Sequence, residues 1–518
     1  MLDRTTYATA ASTSAWDAVW RWGGRIALAG AMLALVGAPA GAQQAAAQLT
    51  LEDAIALAKG SNPTFLSTQN DQAAANWQVR EAYAQFLPSV NANLTGVWQE
   101  AGAQRFGTIV FDDQITDWYF SSYGIQLAMR IDGNTIFGIP NARANQRATD
   151  ARISAAEFQL ETTVAFQYMA VLRTREGVDV AQRQLERAQQ NLQIVRTRVA
   201  AGAAAGTEGT QAEVELGRAE VGLIQAERDL RQARLLLSEQ IGVAVDEETA
   251  LLSEFEVFEP DFDVDELLGM ALEEHPSLRS LRAQESASLA SARQAATSQY
   301  LPSLFLSAGF SGQAQEALNR QYIMRQVDDR ASSRMASCEF NNTLENGLNG
   351  GLPNYSIQDC TQFGATPADY QAALSQNNVF PFDFTSIPTQ IRATLSIPVF
   401  TGFSRERQVS QARNAAEDAE YSRRQEELRL RTAVTNAYDN LVSAYQLVQA
   451  EGRNLGLSEQ QLLLQQRRYA LGAANLLELL DAQAALSTAE QGSLNAVNDF
   501  HYNLIALEAS VGRTLRAR

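Results

Sequence analysis

The chain has 518 residues, a formal net charge of -18, 46% hydrophobic residues and only 12 prolines. The negative balance argues against a nucleic-acid partner, because phosphate binding needs a basic surface. The dominance of Ala, Gln, Glu, Leu and Arg favours long helices, and Lys59 is the single lysine, so arginine carries almost all the positive charge.

At the N-terminus, Arg21 and Arg25 precede an apolar run from Ile26 to Val36, followed by Ala40-Gly41-Ala42. This is the pattern of a secretory signal over residues 1–42 with a small-residue cleavage site; a buried N-terminal helix is the plainer alternative. The run is too short to cross a bilayer as a helix, and no cysteine stands at the cleavage site to carry a lipid. No long apolar stretch follows. A membrane portion, if there is one, has to be a barrel, since helices and closed barrels alone satisfy the backbone in lipid.

The chain is written twice. Val164, Tyr168, Leu185, Leu192, Gly202, Leu216, Ala219, Glu220 and Gly242 reappear 270 positions later as Val434, Tyr438, Leu455, Leu462, Gly472, Leu486, Ala489, Glu490 and Gly512. Upstream the offset is shorter: Asn62-Pro63 answers to His275-Pro276, and Leu87-Pro88 to Leu301-Pro302. The second copy therefore gained residues between those points, and the segment 312–386, which holds Cys338 and Cys360, is the evident insertion. The first copy is assigned to residues 43–242, an inter-repeat segment to 243–262, and the second copy to 263–518. In an exported chain the two cysteines are expected to form a disulfide, with two free thiols as the alternative. His275 and His501 are far apart and no Cys/His cluster exists, so no metal site is expected.

Each copy reads helix, strand, loop, strand, helix, helix. Val90, Ala92, Leu94 and Trp98 alternate with Asn91, Asn93, Thr95 and Gln99; Leu304, Leu306, Ala308 and Phe310 alternate with Ser303, Ser307, Gly309 and Ser311. The return strands carry Tyr119, Tyr123, Ile125, Leu127 and Met129 in the first copy, and Ile391, Ala393, Leu395 and Ile397 in the second. Period-two alternation over such lengths fits tilted barrel strands; the edge of a soluble β-sandwich would alternate in the same way. The helices have another period. Val178, Leu185, Leu192 and Val199 stand seven apart, as do Leu216, Leu223, Leu230 and Leu237, with alanines between them. A strict heptad imposes a left-handed supercoil. The residues 200–209 between these stretches read as a turn, so each copy contains a long helical hairpin. The second copy keeps Val448, Leu455, Leu462 and Tyr469 on its seam. Four strands are too few to close a membrane barrel, and open edges are forbidden in lipid, so the chain has to oligomerise.

With these elements in order, the chain resembles the outer-membrane efflux protein family, the TolC-like channels. The resemblance rests on Leu51-Glu52-Asp53-Ala54-Ile55-Ala56-Leu57-Ala58 with Asn62-Pro63, on Leu-Pro before each first strand, on Ile397-Pro398-Val399-Phe400 with Gly402, and on Arg468-Tyr469-Ala470-Leu471-Gly472 leading into Leu479-Leu480-Asp481-Ala482-Gln483. It implies an α+β membrane protein: a homotrimer whose twelve-stranded β-barrel, four strands per chain, continues into an α-helical coiled-coil periplasmic tunnel. It further implies an outer-membrane location in a Gram-negative bacterium, contact with outer-membrane lipid, no cofactor, no catalysis, and passive export with a periplasmic adaptor protein and an inner-membrane pump of RND or ABC type. The first copy reads Met129-Arg130-Ile131-Asp132-Gly133 where the second has its proline turn, which leaves the sharpness of that strand-to-helix join open.

The resemblance also nominates a site. Glu478 and Asp481, six and nine residues after Gly472, match acidic positions at the tunnel's periplasmic mouth, and Glu208 matches Glu478 in the first copy. A spacing of three places the pair on one helix face, where a ring of carboxylates would attract cations. A cap by Asn475 on a solvated helix start is the plainer alternative. Gly202, Gly472 and Tyr469 are expected at the hairpin tips that meet the adaptor. The arginine frequent two residues after the tip glycine in this family is Ala474 here. Small-molecule efflux is the leading expectation, the duct of a type I protein secretion system the second, and a poreless coiled-coil scaffold the third.

Overall fold

The computed structural model describes residues 48–102, 104–106, 108–111, 116–246, 249–252, 256–348 and 354–515. The expected signal, residues 1–42, lies outside them. The described residues of 49–246 and 251–515 form one compact unit, which contains the elements discussed below except Gln48 of the first strand and Ala250 of the sixth.

In chain order the elements are β1 (Gln48–Leu49), α1 (Leu51–Ser61), α2 (Pro63–Ala84), β2 (Ser89–Gln99), β3 (Gln104–Phe106), β4 (Ile109–Phe111), β5 (Trp118–Ile131), α3 (Gly133–Ala200) and α4 (Gly206–Ile241). There follow β6 (Ala250–Leu251), α5 (Val264–Glu274), α6 (Pro276–Tyr300), β7 (Ser303–Ala317), α7 (Arg320–Gly347), a 3-10 turn at Cys360–Phe363, α8 (Pro367–Asn377), β8 (Thr385–Ser396), α9 (Ser404–Ala470) and α10 (Leu476–Val511). Two helices, not one, precede the first strand of each repeat. The break falls at the X-Pro pairs, where Asn62 and His275 leave helical geometry and cap the next helix: Asn62 Oδ1 accepts from Phe65 N at 2.9 Å and His275 Nδ1 from Ser277 N at 3.2 Å. Proline at the first helical position costs no hydrogen bond, because that N–H has no partner in the helix. α1 begins with a reciprocal capping box between Thr50 and Asp53.

One antiparallel sheet runs β2-β5-β7-β8. β2 pairs β5 from Ser89↔Ala128 to Gln99↔Trp118, β5 pairs β7 from Trp118↔Ala317 to Ile131↔Leu304, and β7 pairs β8 from Ser303↔Ser396, with an irregularity between Gly309 and Ser311. β2 and β8 are the edges, and Val90, Leu94, Trp98, Ile391 and Leu395 on them are exposed. The two joins to the long helices differ, and the one whose sharpness the sequence left open is the shorter. In the first repeat a single residue, Asp132, separates β5 from α3; its carboxylate accepts from Thr135 N at 2.9 Å and so caps the helix at once. In the second repeat residues 397–403 intervene, and Arg405 shapes them by donating to Pro398 O at 3.1 Å and Val399 O at 2.9 Å.

The insertion is helical. β7 continues to Ala317, so the segment outside the sheet begins later than Gly312. α7 packs Ile323, Val327 and Ala331 inward, and Cys338 at its far end is disulfide-bonded to Cys360. The segment returns to the sheet through Asn377, whose side chain bonds both Ala317 N (2.9 Å) and Ala317 O (2.8 Å), and through Phe380 stacked on Tyr119.

Among the described residues no helix is long and apolar enough to cross a membrane. Burial is instead distributed along the helices. One cluster gathers Tyr168, Leu172, Leu237 and Ile241 around Leu49, where the Tyr168 hydroxyl donates to Leu49 O at 2.7 Å. A second collects Leu267, Val434, Leu441, Phe500 and Leu507, its counterpart in the second repeat. A third, at the far end of the hairpins, joins Leu192, Val195, Leu462, Tyr469, Leu479 and Leu486.

Candidate functional site

The two hairpin tips are built alike. α3 closes on Gly202 at φ +71° and α9 on Gly472 at φ +74°. At each, the glycine N–H returns to a carbonyl three back (Val199, Tyr469; both 3.0 Å), and the next N–H to a carbonyl five back (Arg198, Arg468; both 2.8 Å). This pair of bonds is a Schellman ending. No atom lies within 4 Å of a Cβ added at either glycine, so the left-handed backbone alone selects the residue. Arg198 and Arg468 each also donate to the carbonyl that follows the glycine, at Ala203 and Ala473, both at 3.3 Å. α4 starts at Gly206, so Gly206 and Gly209 belong to the helix rather than to the expected turn.

Beyond this shared frame the tips diverge. Tyr469 is 1% exposed. Its hydroxyl donates to Glu208 Oε2 at 2.9 Å, its carbonyl accepts from Arg198 Nη1, and the Arg198 guanidinium lies 4.1 Å from its ring centre. Burial first, and then the Glu208 hydrogen bond, push the phenol up to about 12. The side chain of Tyr469 therefore faces the interior of the hairpin pair, not solvent. Val199 occupies the matching place in the first repeat, so this tie exists once per chain and crosses from α9 to α4.

Glu478 and Asp481 open α10. Asn475 Oδ1 accepts from Glu478 N at 2.9 Å, so the cap is present, while the Glu478 carboxylate stands 3.7 Å from Arg468 Nη1 with both side chains nearly half exposed. Asp481 is exposed one turn further on. Glu208, by contrast, is engaged by Tyr469 and is not the free equivalent of Glu478. Away from the tip, α3 and α10 are tied by polar rungs: Gln184 donates to Ser487 at 2.7 Å, Arg187 grips both oxygens of Glu490, and Arg173 donates to Asn495 at 3.0 Å. These rungs escaped the sequence reading, as did the arginine pair, although Arg198 and Arg468 repeat at the same 270-residue offset as the tip glycines.

A family model described as outer membrane efflux protein matches residues 54–243 and 363–513. Solved structures with the same fold include the outer membrane protein VceC of Vibrio cholerae (16% identity, 90% of this chain and 97% of that one, TM-score 0.64). The CmeC outer membrane channel of Campylobacter jejuni (14%, 89% and 85%, 0.65) and the open state of the MtrE outer membrane channel of Neisseria gonorrhoeae (18%, 90% and 89%, 0.62) are similar as well. The comparison with curated proteins gives no match. The stretch between the two matched blocks contains β7 and all of α7.

Proposed function

We propose a function from the premise that this chain belongs to the outer membrane efflux protein family. It is a passive exit duct: three copies close their sheets into one twelve-stranded barrel in the outer membrane, and their helical hairpins form a tunnel into the periplasm. A periplasmic adaptor and an inner-membrane pump deliver small molecules to the tunnel mouth, which Glu478 and Asp481 line, and the α7 insertion projects to the cell exterior.

One observation carries this reading. The four-stranded sheet has apolar residues exposed along both edge strands and is joined directly to α3 and, through residues 397–403, to α9, helices of 68 and 67 residues. Unpaired strand edges are untenable in lipid, where each unsatisfied N–H or C=O costs several kcal/mol, and four strands cannot curl shut alone. Ring closure between copies satisfies both edges at once. The test is reconstitution of protein extracted from outer membranes. A trimer with one conductance per trimer supports the duct, whereas a monomer that inserts and conducts alone refutes it.

A further inference from the structure

The internal repeat contains one helix seam that a single chain leaves unmade. α2 lies on α3 and α6 lies on α9, each on the long helix of its own repeat: Gln72 donates to Asp150 at 3.3 Å and Glu285 accepts from Arg423 at 2.7 Å. Gln72 and Glu285 stand at the 213-residue offset that relates the cap residues Asn62 and His275. α6 has a second face, which packs on α3 of the other repeat. That seam is alanine on alanine, with Ala144, Ala148 and Ala287 buried and Ala283 and Ala290 beside them, and it ends where Phe158 meets the His275 ring edge-on at 5.7 Å.

Transferring this α3–α6 seam by the two offsets yields an α9–α2 seam. Ala144 and Ala148 become Asn414 and Asp418, Phe158 becomes Leu428, and Ala287 and Ala290 become Ala74 and Trp77. All five are exposed, Trp77 at 64% and Leu428 at 60%. Two apolar side chains of that size stand in open water, both on the faces that the repeat assigns to a missing partner, and burying them would favour association.

We propose that Ala74 and Trp77 on α2 dock against the Asn414–Asp418 stretch of α9 of a second copy of this chain, with Leu428 of that copy covering the Asn62 turn. The inference rests on the oligomeric duct reading and assigns its subunit seam. The seam differs in kind from its template. The Trp77 ring, with the Arg80 guanidinium 4.7 Å from its centre, holds the two helices further apart than an alanine contact does, and the Asn414 and Asp418 side chains replace methyl groups facing it. Along the ring, tight alanine seams within chains therefore alternate with wider Trp-wedged seams between chains.

Paired cysteines test the register in full-length protein in outer membranes, the two native cysteines being tied to one another. Oxidation of the Ala74→Cys, Asp418→Cys protein is expected to give covalent dimers and trimers, several-fold above an Ala74→Cys, Arg424→Cys control, whose second cysteine is on another face of α9. Trp77→Ala is expected to lower the temperature at which the detergent-resistant oligomer dissociates, with Trp77→Phe partly restoring it. An oligomer that forms but does not cross-link, links within one chain, or links equally in the control overturns the seam. Cross-linked trimers that conduct no ions leave the seam standing and sink the duct.

Discussion

The Tyr469 hydroxyl donates to the Glu208 carboxylate at 2.9 Å, and this bond joins the end of one hairpin's first helix to the start of the other hairpin's second helix. Tyr469→Phe keeps the buried ring in the Leu462–Leu479 cluster and removes only the bond. Glu208 retains access to water, so the loss is expected to be about 1 kcal/mol rather than the larger cost of a buried orphan charge. Hydrogen exchange should accelerate at residues 199–212 and 466–480 and stay unchanged at the β2-β5-β7-β8 sheet; uniform acceleration would mean that the bond supports the whole fold instead of the tip. The phenol adds an alkaline signature. Its folded pKa, about 12, lies above the ordinary 10, so the stabilisation is complete below pH 10 and is lost as pH rises through the folded value. The late phenolate absorbance should vanish from the titration of the Tyr469→Phe protein.

Glycine substitutions should separate backbone strain from crowding. Gly202 and Gly512 both have positive φ, but a Cβ on Gly202 meets open space, whereas on Gly512 it would sit 2.9 Å from His275 Cα and 3.0 Å from Pro276 Cδ. Gly202→Ala is expected to cost about 1 kcal/mol, the left-handed penalty alone. Gly512→Ala adds overpacking at a junction of α5, α6 and α10, for about 3 kcal/mol in total. Thermal unfolding in detergent checks the order, and equal shifts would show that the junction yields.

What was legible in the residues follows the internal repeat. The strands appear through alternation, the hairpins through the heptads, and the tip glycines through their common offset, because each of these is a local periodic pattern with a physical cause. The Tyr469–Glu208 bond was not legible for the opposite reason: it breaks the repeat, with Val199 at the matching position. α7 hid because Ile323, Val327 and Ala331 are a thin apolar stripe among polar residues. The sharpness of the first strand-to-helix join stayed open without a proline, because the cap that Asp132 supplies directly is a single side-chain contact and not a pattern.

His275 should make the second repeat's junction sensitive to acid. Its Nδ1 accepts from Ser277 N, so the neutral ring carries its proton on Nε2 and donates to Ala509 O at 3.0 Å. Around it stand Phe158, Ser277 bonded to Glu426, and Arg429 paired with Glu426. Burial lowers the imidazole pKa from 6.5, against raising contributions from the Ala509 bond and Glu426. A depressed folded pKa gives stability that is present above pH 6.5 and lost as pH falls through the folded value. The first repeat performs the same tie with Asn62, whose Nδ2 donates to Gln240 O at 2.7 Å. His275→Asn is therefore expected to fold and to flatten the acid limb of the stability profile, read by thermal unfolding across that range; an unchanged limb would assign the acid sensitivity to carboxylates elsewhere.

The acidic start of α10 yields the prediction closest to transport. Glu478 and Asp481 share a face just beyond the Gly472 tip, and threefold repetition would set six carboxylates around the axis. Arg468 offsets part of this charge, 3.7 Å from Glu478, but among the described residues no ion pair reaches Asp481. Carboxylates crowded in a narrow mouth with a low-dielectric wall concentrate cations and resist anions. Replacing both by alanine should lower cation selectivity in planar bilayers and abolish block by a multivalent cation added from the periplasmic side. The oligomer should survive, because the Leu476, Leu479 and Ala482 side chains that bury this turn are untouched, and Asn475 caps through the backbone N–H of residue 478, which alanine retains. Arg468→Ala gives the opposite sign: it unmasks Glu478 and should strengthen both selectivity and block. If the double variant and Arg468→Ala both leave selectivity and block unchanged, these carboxylates face solvent outside the tunnel, and their part at this turn is reduced to the helix start that Asn475 caps.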